Sequence, residues 1–264
     1  MAVRATGAKR LVIKVGTSTL TYQTGQMNLR RTEHLIRVLA DLANSGLELI
    51  LVSSGAIAVG MGKLGLSEKP EDLPGLQACA AVGQCELMYF YDKHFNAYNR
   101  TIAQVLLTSG DLEDREERRH VVNTLKRLLA DKIIPVINEN DSVSVKEILY
   151  GDNDGLSALV AKLVEADALL LLSDIDGFYE KDPRLDCEAR LIERVNIADP
   201  EVDEAVTGPG SQRGTGGMRT KLEAARLAVP AGIRTFLLNG ENPDILYDVL
   251  DGGARGSEFI KEQI

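Results

Sequence analysis

The stretch Arg10–Ser18 reads RLVIKVGTS and decides the fold class of the chain. Its apolar residues form a continuous run, which is typical of a strand buried on both faces of a sheet. The run ends at Gly16 and two hydroxyl residues, a composition that favours a turn. Sheets of mainly parallel strands, covered by helices on both faces, contain strands of this kind. The stretch therefore predicts an α/β fold.

Similar apolar runs recur along the chain, and stretches with helical spacing separate them. We predict strands at Arg10–Val15, Leu47–Ser53, Thr101–Leu107, Ile133–Asn138, Ala168–Ser173 and Arg234–Leu238. We predict helices between an N-cap at Asn28 and a stop at Gly46, and at Gln77–Tyr98, Arg115–Ala130, Asp154–Glu165 and Met218–Val229. Between Asp176 and Gly217 the periodicity weakens, so long functional loops are expected there.

Length and composition exclude several classes of protein. With 264 residues, 44% of them hydrophobic and 26% charged, the chain can bury a large core without disulfides or a structural metal. A net charge of -9 argues against a nucleic-acid partner. The three cysteines and three histidines share no zinc or redox spacing, and no apolar run has the length of a membrane span. We expect a cytoplasmic protein that binds neither nucleic acid nor membrane.

Two common nucleotide-binding patterns do not apply. Gly60, Gly62 and Gly65 match GxGxxG, but the preceding strand ends near Ser53 and Pro70 follows soon after. A dinucleotide fingerprint needs its first glycine directly after a strand, so we interpret these glycines as turn residues. No GxxxxGK[ST] motif is present, which excludes a P-loop kinase.

Polar residues follow the first two predicted strands, at the edge where open α/β sheets bind ligands. Lys14 near the end of an apolar strand is costly unless it meets an anion, although it could also reach solvent through its long side chain. Ser53, Ser54 and Gly55 lead into a predicted helix, whose N-terminus suits an anion, although plain capping by serine is the commoner explanation. These two segments predict an anion site without proving one.

Two polar clusters follow the fourth strand. Asn138–Asp141 could hold the amino group of a substrate or a metal, or could merely cap turns. Gly151–Gly155, GDNDG, stands directly before an apolar helix. One helix cap needs only one such residue, so two aspartates and an asparagine between glycines indicate a functional cluster.

A glycine-rich turn, Gly214–Gly217, precedes the last predicted helix, and Lys221 lies in the first turns of that helix. Backbone N–H groups, the helix dipole and a mobile cation together suit a polyphosphate. A flexible linker is the alternative, and the lysine with its flanking threonines makes it the weaker one.

Taken together and in this order, these motifs resemble the glutamate 5-kinases of the amino acid kinase family over nearly the whole chain. The resemblance implies a three-layer αβα sandwich with a mainly parallel central sheet. It implies one amino acid kinase domain over residues 1–264, with a substrate-binding half at about 1–165 and a nucleotide-binding half at about 166–264. It further implies a short form without the small C-terminal PUA domain that many relatives possess. Gly155 stands where relatives often carry asparagine.

The resemblance assigns the binding residues, and the mechanism expected for such a kinase assigns the catalytic ones. The predicted catalytic residues are Lys14, Lys221 and Asp154, with Asp154 orienting the two lysines. The predicted glutamate-binding residues are Ser54, Asp141, Asp152 and Asn153. The predicted nucleotide-binding residues are Lys14, Gly16, Thr17, Ser173, Asp174, Thr215, Gly216, Gly217, Met218, Arg219, Thr220 and Lys221, and the loop would continue through Asp176, Gly177 and Phe178.

The resemblance implies ATP-dependent phosphorylation of the side-chain carboxylate of L-glutamate, the first step of proline biosynthesis. It implies Mg²⁺ held mostly by phosphate oxygens and water, with the protein ligands left open. Feedback inhibition by proline, a homo-oligomer and a glutamyl-phosphate reductase as partner are implied by the resemblance alone. The alternatives are another amino acid kinase acting on acetylglutamate, aspartate, carbamate or UMP, and a nucleotide-sensing module without turnover.

Overall fold

A computed structural model of the chain describes residues 3–22, 24–143, 153–207 and 217–262. Its central sheet has eight strands in the order β3-β4-β2-β1-β5-β9-β10-β8. These strands are β1 Arg10–Val15, β2 Glu48–Ser53, β3 Ile102–Leu107, β4 Ile134–Glu139, β5 Ala168–Ser173, β8 Arg194–Asn196, β9 Arg234–Asn239 and β10 Gly256–Ile260. Neighbouring strands are parallel throughout, except that β10 runs antiparallel to β9. A separate antiparallel pair joins β6 Phe178–Tyr179 to β7 Leu191–Ile192.

Helices cover both faces of the sheet. They are α1 Thr17–Leu20, α2 Leu29–Asn44, α3 Ala56–Leu64, α4 Leu73–Asn96, α5 Ser109–Glu113, α6 Arg115–Ala130, α7 Asn153–Leu163, α8 Pro200–Thr207, α9 Met218–Ala228 and α10 Ile245–Asp251. In β1, Leu11, Ile13 and Val15 belong to a core that includes residues of α2, α3, α4 and α10. Val12 belongs to a second core with α6, α7, α8 and α9. This arrangement confirms the predicted three-layer αβα sandwich with a mainly parallel sheet.

The predicted strands are all present, and their ends differ from the prediction by at most one residue. Asn28 caps α2 as predicted, because its side chain accepts a hydrogen bond from the backbone of Arg31. The long helix begins at Leu73 rather than Gln77, because Asp72 caps it and Pro74 fits its first turn. Glu139 belongs to β4 itself, not to the loop after it. The region after Asp176 contains β6, β7, β8 and α8 in addition to loops.

The interpretation of the GxGxxG glycines as turn residues is wrong for Gly60 and Gly62, which lie inside α3, and holds only for Gly65 at its end. A Cβ on Gly60 would lie 1.9 Å from the carbonyl oxygen of Cys79, so this glycine lets α3 and α4 approach closely. Gly62 packs in the same way against the backbone of Gly25. Gly65 ends α3 with φ of 68°, a left-handed conformation that favours glycine. Within the described ranges, every helix is too short or too polar to cross a membrane.

Candidate active site

Two lysines and one aspartate from distant parts of the chain meet at the carboxyl edge of the sheet. Lys14 Nζ, from β1, lies 2.6 Å from Asp154 Oδ1, and Lys221 Nζ, from α9, lies 3.1 Å from Asp154 Oδ2. Lys14 and Lys221 are each 5% exposed, and Asp154 is fully buried. Such burial is tolerated because the charges pair with each other. The triad holds two ammonium groups against one carboxylate, so these three side chains together carry a net positive charge.

The carboxylate of the triad stays ionised. Burial alone would raise the pKa of Asp154, but the positive charges of Lys14 and then Lys221, together with their hydrogen bonds, outweigh burial and hold it well below its usual range. The hydroxyl of Thr220 lies 2.9 Å from Asp154 Oδ2 and 2.8 Å from the carbonyl oxygen of Gly217. Asp154 is therefore a fixed anion that orients both ammonium groups.

Elements around the triad present backbone N–H groups and small residues. Gly16 lies two residues after Lys14, and a Cβ on Gly16 would lie 3.9 Å from Lys14 Nζ. Thr17 is exposed at the start of α1. Gly217 is the N-cap residue of α9 and makes no side-chain cap hydrogen bond, and a helix N-terminus of this kind suits an anionic ligand. Such an arrangement can receive phosphate oxygens next to the lysines.

A network of amides and hydroxyls lies directly beside the triad, because Asn153 precedes Asp154 in α7. Asn153 Nδ2 lies 3.1 Å from the carbonyl oxygen of Ser53, 3.0 Å from Ser54 Oγ and 2.7 Å from Asn138 Oδ1. The ends of β2 and β4 and the start of α7 therefore converge at one point. We call Ser53, Ser54, Asn138 and Asn153 the amide network.

Asp141 lies in the turn after β4, three residues beyond Asn138, and is half-buried. Burial, reinforced by the negative charge of Glu139, raises the pKa of Asp141 to about 6. The turn is held by a hydrogen bond of 2.8 Å from the backbone N–H of Asn140 to the carbonyl oxygen of Leu107. A carboxylate that is costly to charge here favours a cationic ligand.

Known proteins resemble this chain in sequence over nearly its whole length. A family model described as the amino acid kinase family matches residues 9–239. The chain belongs to the amino acid kinase family. The glutamate 5-kinase of Clostridium perfringens is 52% identical over 260 residues, which covers 97% of this chain and 97% of that protein. The glutamate 5-kinase of Listeria welshimeri is 50% identical over 260 residues, covering 97% of this chain and 94% of that protein.

Solved structures agree with this amino acid kinase in fold. UMP kinase from Bacillus anthracis superimposes with a TM-score of 0.67 at 17% identity, covering 97% of both chains. Carbamate kinase from Giardia lamblia bound to AMP-PNP gives a TM-score of 0.67 at 14% identity, covering 97% of this chain and 99% of that one. Identities this low support the fold and say nothing about the acceptor.

The structure brings several predicted site residues of this amino acid kinase together. Lys14, Asp154 and Lys221 are in direct contact, and so are Ser54 and Asn153. Asp152, Thr215 and Gly216 lie outside the described residues, as do Gly151 and Gly214.

The remaining predicted nucleotide residues lie at the ends of β5 and α9. Ser173 ends β5, and its hydroxyl lies 3.2 Å from Asp174 Oδ1. Met218 is half-buried at the start of α9. Arg219 pairs with Glu223 at 3.0 Å on the exposed side of α9. Whether these residues contact a nucleotide stays a prediction.

Hydrogen bonding, an ion pair and close packing hold the loop after Asp174 in place. Asp176 Oδ1 accepts a hydrogen bond of 2.8 Å from Asn239, and Arg255 lies 3.0 Å from its other oxygen. Gly177 packs so closely on Ser257 that a Cβ would lie 2.6 Å from the serine hydroxyl. Phe178 is fully buried and meets Phe259 edge-on at 6.2 Å. Gly177 and Phe178 therefore support the loop through packing.

Sequence reasoning missed the residues of α4 that support the amide network. Gln84 Oε1 accepts a hydrogen bond of 2.9 Å from Asn138 Nδ2, and the Tyr91 hydroxyl lies 2.8 Å from Ser53 Oγ. These two residues are seven positions apart, so they lie on one face of the helix. This spacing indicates that Gln84 and Tyr91 share one face of α4. The spacing alone does not predict which residues that face contacts.

Proposed function

We propose that this amino acid kinase transfers the γ-phosphoryl group of ATP to the side-chain carboxylate of L-glutamate, giving glutamyl 5-phosphate and ADP. The observation that carries the proposal is the buried Lys14–Asp154–Lys221 triad beside the amide network. Identities of 52% and 50% to proteins named glutamate 5-kinase support glutamate as the acceptor. In this role the reaction is the first step of proline biosynthesis.

The acceptor carboxylate is anionic at neutral pH and attacks the γ-phosphorus directly, so no general base is needed. Catalysis then consists of positioning the reactants and stabilising charge. Lys14 and Lys221 neutralise the transferring group and the leaving β-phosphate. Asp154 holds both ammonium groups in place, at 2.6 and 3.1 Å, before the substrates arrive.

The two ligands occupy different halves of the chain in this proposal. Residues up to about 165 bind glutamate, through Ser54, Asp141 and Asn153 together with Asp152. Residues from about 166 onward bind ATP, through Ser173, Asp174 and the segment 215–221. Lys14 and Asp154 contribute to the transfer from the substrate half, and Lys221 contributes from the nucleotide half.

We propose that Mg²⁺ enters this site as part of the ATP complex. Among the residues that the structure describes, no group of three or more acidic, histidine or cysteine side chains could hold a metal ion. Mg²⁺ in nucleotide sites is commonly bound by phosphate oxygens and water with few protein ligands. When bound, the ion would neutralise part of the charge on the phosphates, and Lys14 and Lys221 would neutralise the rest.

Four further proposals rest on the family resemblance. Proline inhibits the enzyme by feedback, the enzyme forms a homo-oligomer, a glutamyl-phosphate reductase receives its product, and the enzyme acts in the cytoplasm. An acyl phosphate hydrolyses readily, which favours direct use of the product by a reductase.

The test is ADP release from purified protein with ATP and Mg²⁺, with glutamate, acetylglutamate, aspartate and UMP compared as acceptors. Hydroxylamine is added to trap an acyl phosphate as a hydroxamate. We expect ADP and hydroxamate with glutamate only. Turnover with another acceptor alone would keep the family and reject glutamate as the substrate. Nucleotide binding without turnover on any acceptor would replace the kinase by a sensing module.

A further inference from the structure

Helix α4 passes directly behind the amide network. A Cβ on Gly83 would lie 1.7 Å from the carbonyl oxygen of Ala56, so this glycine allows α4 to contact the start of α3. The close approach brings the next residue, Gln84, within 2.9 Å of Asn138. Tyr91, fully buried on the same face of α4, reaches Ser53. The helix therefore supports both the β4 side and the β2 side of the network.

The hydrogen bonds of the network determine which way each amide points. The backbone N–H of Glu139 can only donate, and it lies 2.9 Å from Asn138 Oδ1. The other end of the Asn138 amide, Nδ2, must then find an acceptor, and Gln84 Oε1 is that acceptor. Asn138 Oδ1 also accepts from Asn153 Nδ2 at 2.7 Å. The Glu139 backbone and Gln84 thus hold opposite ends of the Asn138 amide, and together they fix its orientation.

The orientation of Asn153 is set by Asn138 together with the backbone carbonyl of Ser53, which can only accept. Its Nδ2 is directed at three protein oxygens, those of Ser53, Ser54 and Asn138. Its Oδ1 is buried and accepts no hydrogen bond from the residues that the structure describes. A buried acceptor without a donor is costly, so a ligand that supplies a donor gains affinity. The ammonium group of an amino acid supplies up to three N–H donors.

We propose that Gln84 is a positioning residue for the acceptor substrate, which fixes the Asn138 amide and through it presents Asn153 Oδ1 to the ammonium group of glutamate. This inference rests on the proposed function. Gln84 does not touch the substrate in this account. Without the Gln84 acceptor the Asn138 amide can rotate. The Asn153 amide then also populates an orientation in which Oδ1 points away from the substrate.

The test uses Gln84→Met, which keeps the side-chain length and removes the acceptor, and Gln84→Glu, which keeps an acceptor for Asn138 Nδ2. Gln77→Met is the matched control, because Gln77 is a half-buried glutamine on the same helix. We expect Gln84→Met to raise the KM for glutamate about 3- to 10-fold, as expected for one hydrogen bond, with kcat and the KM for ATP nearly unchanged. Gln84→Glu and Gln77→Met should retain a KM for glutamate close to that of the wild type.

Several outcomes would overturn the inference. A merely structural role predicts that Gln84→Met lowers the melting temperature without a selective rise in the KM for glutamate. An equal rise of the KM for glutamate in Gln84→Glu would show that the acceptor oxygen of Gln84 is not responsible for the effect. An equal rise in Gln77→Met would show that any substitution in α4 has this effect. Should Gln84→Met not fold, Gln84→Leu replaces it. Absence of glutamate turnover in the wild type would instead reject the proposed function itself.

Discussion

At the residue scale, the triad concentrates two cations on one carboxylate. Asp154 is fully buried, and its two oxygens face different lysines, Lys14 and Lys221. Asp154 therefore keeps two like charges close together, which would otherwise repel each other. Phosphate oxygens that enter the site meet cations that are already in place, so little reorganisation accompanies the transfer.

Removal of one cation tests this role. We expect Lys221→Met to lower kcat by about 100-fold or more, by analogy with the loss of one oxyanion donor. The variant should stay folded, because Lys14 still pairs with Asp154. Steady-state ADP release and circular dichroism measure the two effects. Lys162→Met, on the exposed side of α7, is the control and should retain full activity. Near-normal turnover in Lys221→Met would show that the assigned role is wrong.

The raised pKa of Asp141 makes the stability of the folded state depend on pH. Its pKa of about 6 lies above that of an unfolded aspartate, so the folded state binds the proton more tightly. The stability from this group is full below about pH 4 and is lost as the pH rises through about 6. Asp141→Asn should therefore melt higher than the wild type at pH 8, with little difference at pH 4.

Activity should change with pH in the opposite sense, because the proposed function uses the charged form of Asp141 to bind glutamate. We expect kcat/KM for glutamate to fall about tenfold per pH unit below pH 6, since kcat/KM reports the free enzyme. Asp141→Asn should have a lower but flat profile in that range. The profile is measured between about pH 5 and 8 with saturating ATP. An unchanged acid limb in the variant would assign the titration to another group.

At the element scale, two helix glycines differ in the space around them, so the same substitution to alanine should have opposite effects on stability. A Cβ on Gly155 in α7 would meet no atom within 4 Å among the described residues, whereas Gly83 in α4 contacts the backbone of α3. Gly155→Ala should stabilise the protein by up to about 0.5–1 kcal/mol, because alanine loses less backbone entropy than glycine on entering a helix. Gly83→Ala should destabilise it, because the new methyl group forces α3 and α4 apart.

Melting temperatures measure both changes. For a chain of this size, 1 kcal/mol corresponds to about 2–4 °C. We expect Gly155→Ala to melt about 2 °C higher with its activity retained, and Gly83→Ala to melt well below the wild type and to bind glutamate less tightly. A destabilised Gly155→Ala would mean that the space beside α7 is needed.

Prediction from sequence succeeded for the elements with strong patterns. β1, β2, β4 and β5 are continuous apolar runs, and their parallel pairing follows from the helices between them. β10 was missed because its sequence, GSEFI, is short and mixed, and it pairs antiparallel with β9. β6 and β7 have two residues each, too few for any periodicity.

The site was predictable only in part, for a physical reason. Lys14 and Asp154 stand at a strand end and a helix start, which marks each of them as a candidate. Their contact joins positions 140 residues apart, and no local rule gives such a distance. Resemblance to a family supplied that link. The contact between Gln84 and Asn138, 54 residues apart, had no motif to reveal it.

At the scale of the whole molecule, the sheet lies between two separate hydrophobic cores, and the triad crosses from one half of the chain to the other. Lys14 comes from the central strand, Asp154 from the middle of the chain and Lys221 from near its end. Val12 of β1, Val160 of α7 and Leu222 of α9 belong to one core on the same face of the sheet. A ligand that binds both lysines therefore links elements that are far apart in sequence, and its binding should stabilise the fold as a unit.

Thermal unfolding with ATP and Mg²⁺ tests this linkage. A ligand present at 100 times its Kd stabilises the folded state by about 2.7 kcal/mol, which corresponds to about 5–10 °C for a chain of this size. We expect that rise for the wild type, and a clearly smaller rise for Lys221→Met at the same ATP concentration, because one phosphate-binding cation is gone. Gln84→Met should keep the full rise, since Gln84 acts on the acceptor side. If ATP raised the melting temperature of Lys221→Met as much as that of the wild type, ATP would bind without this lysine. The triad would then connect the two halves of the chain without contacting the nucleotide.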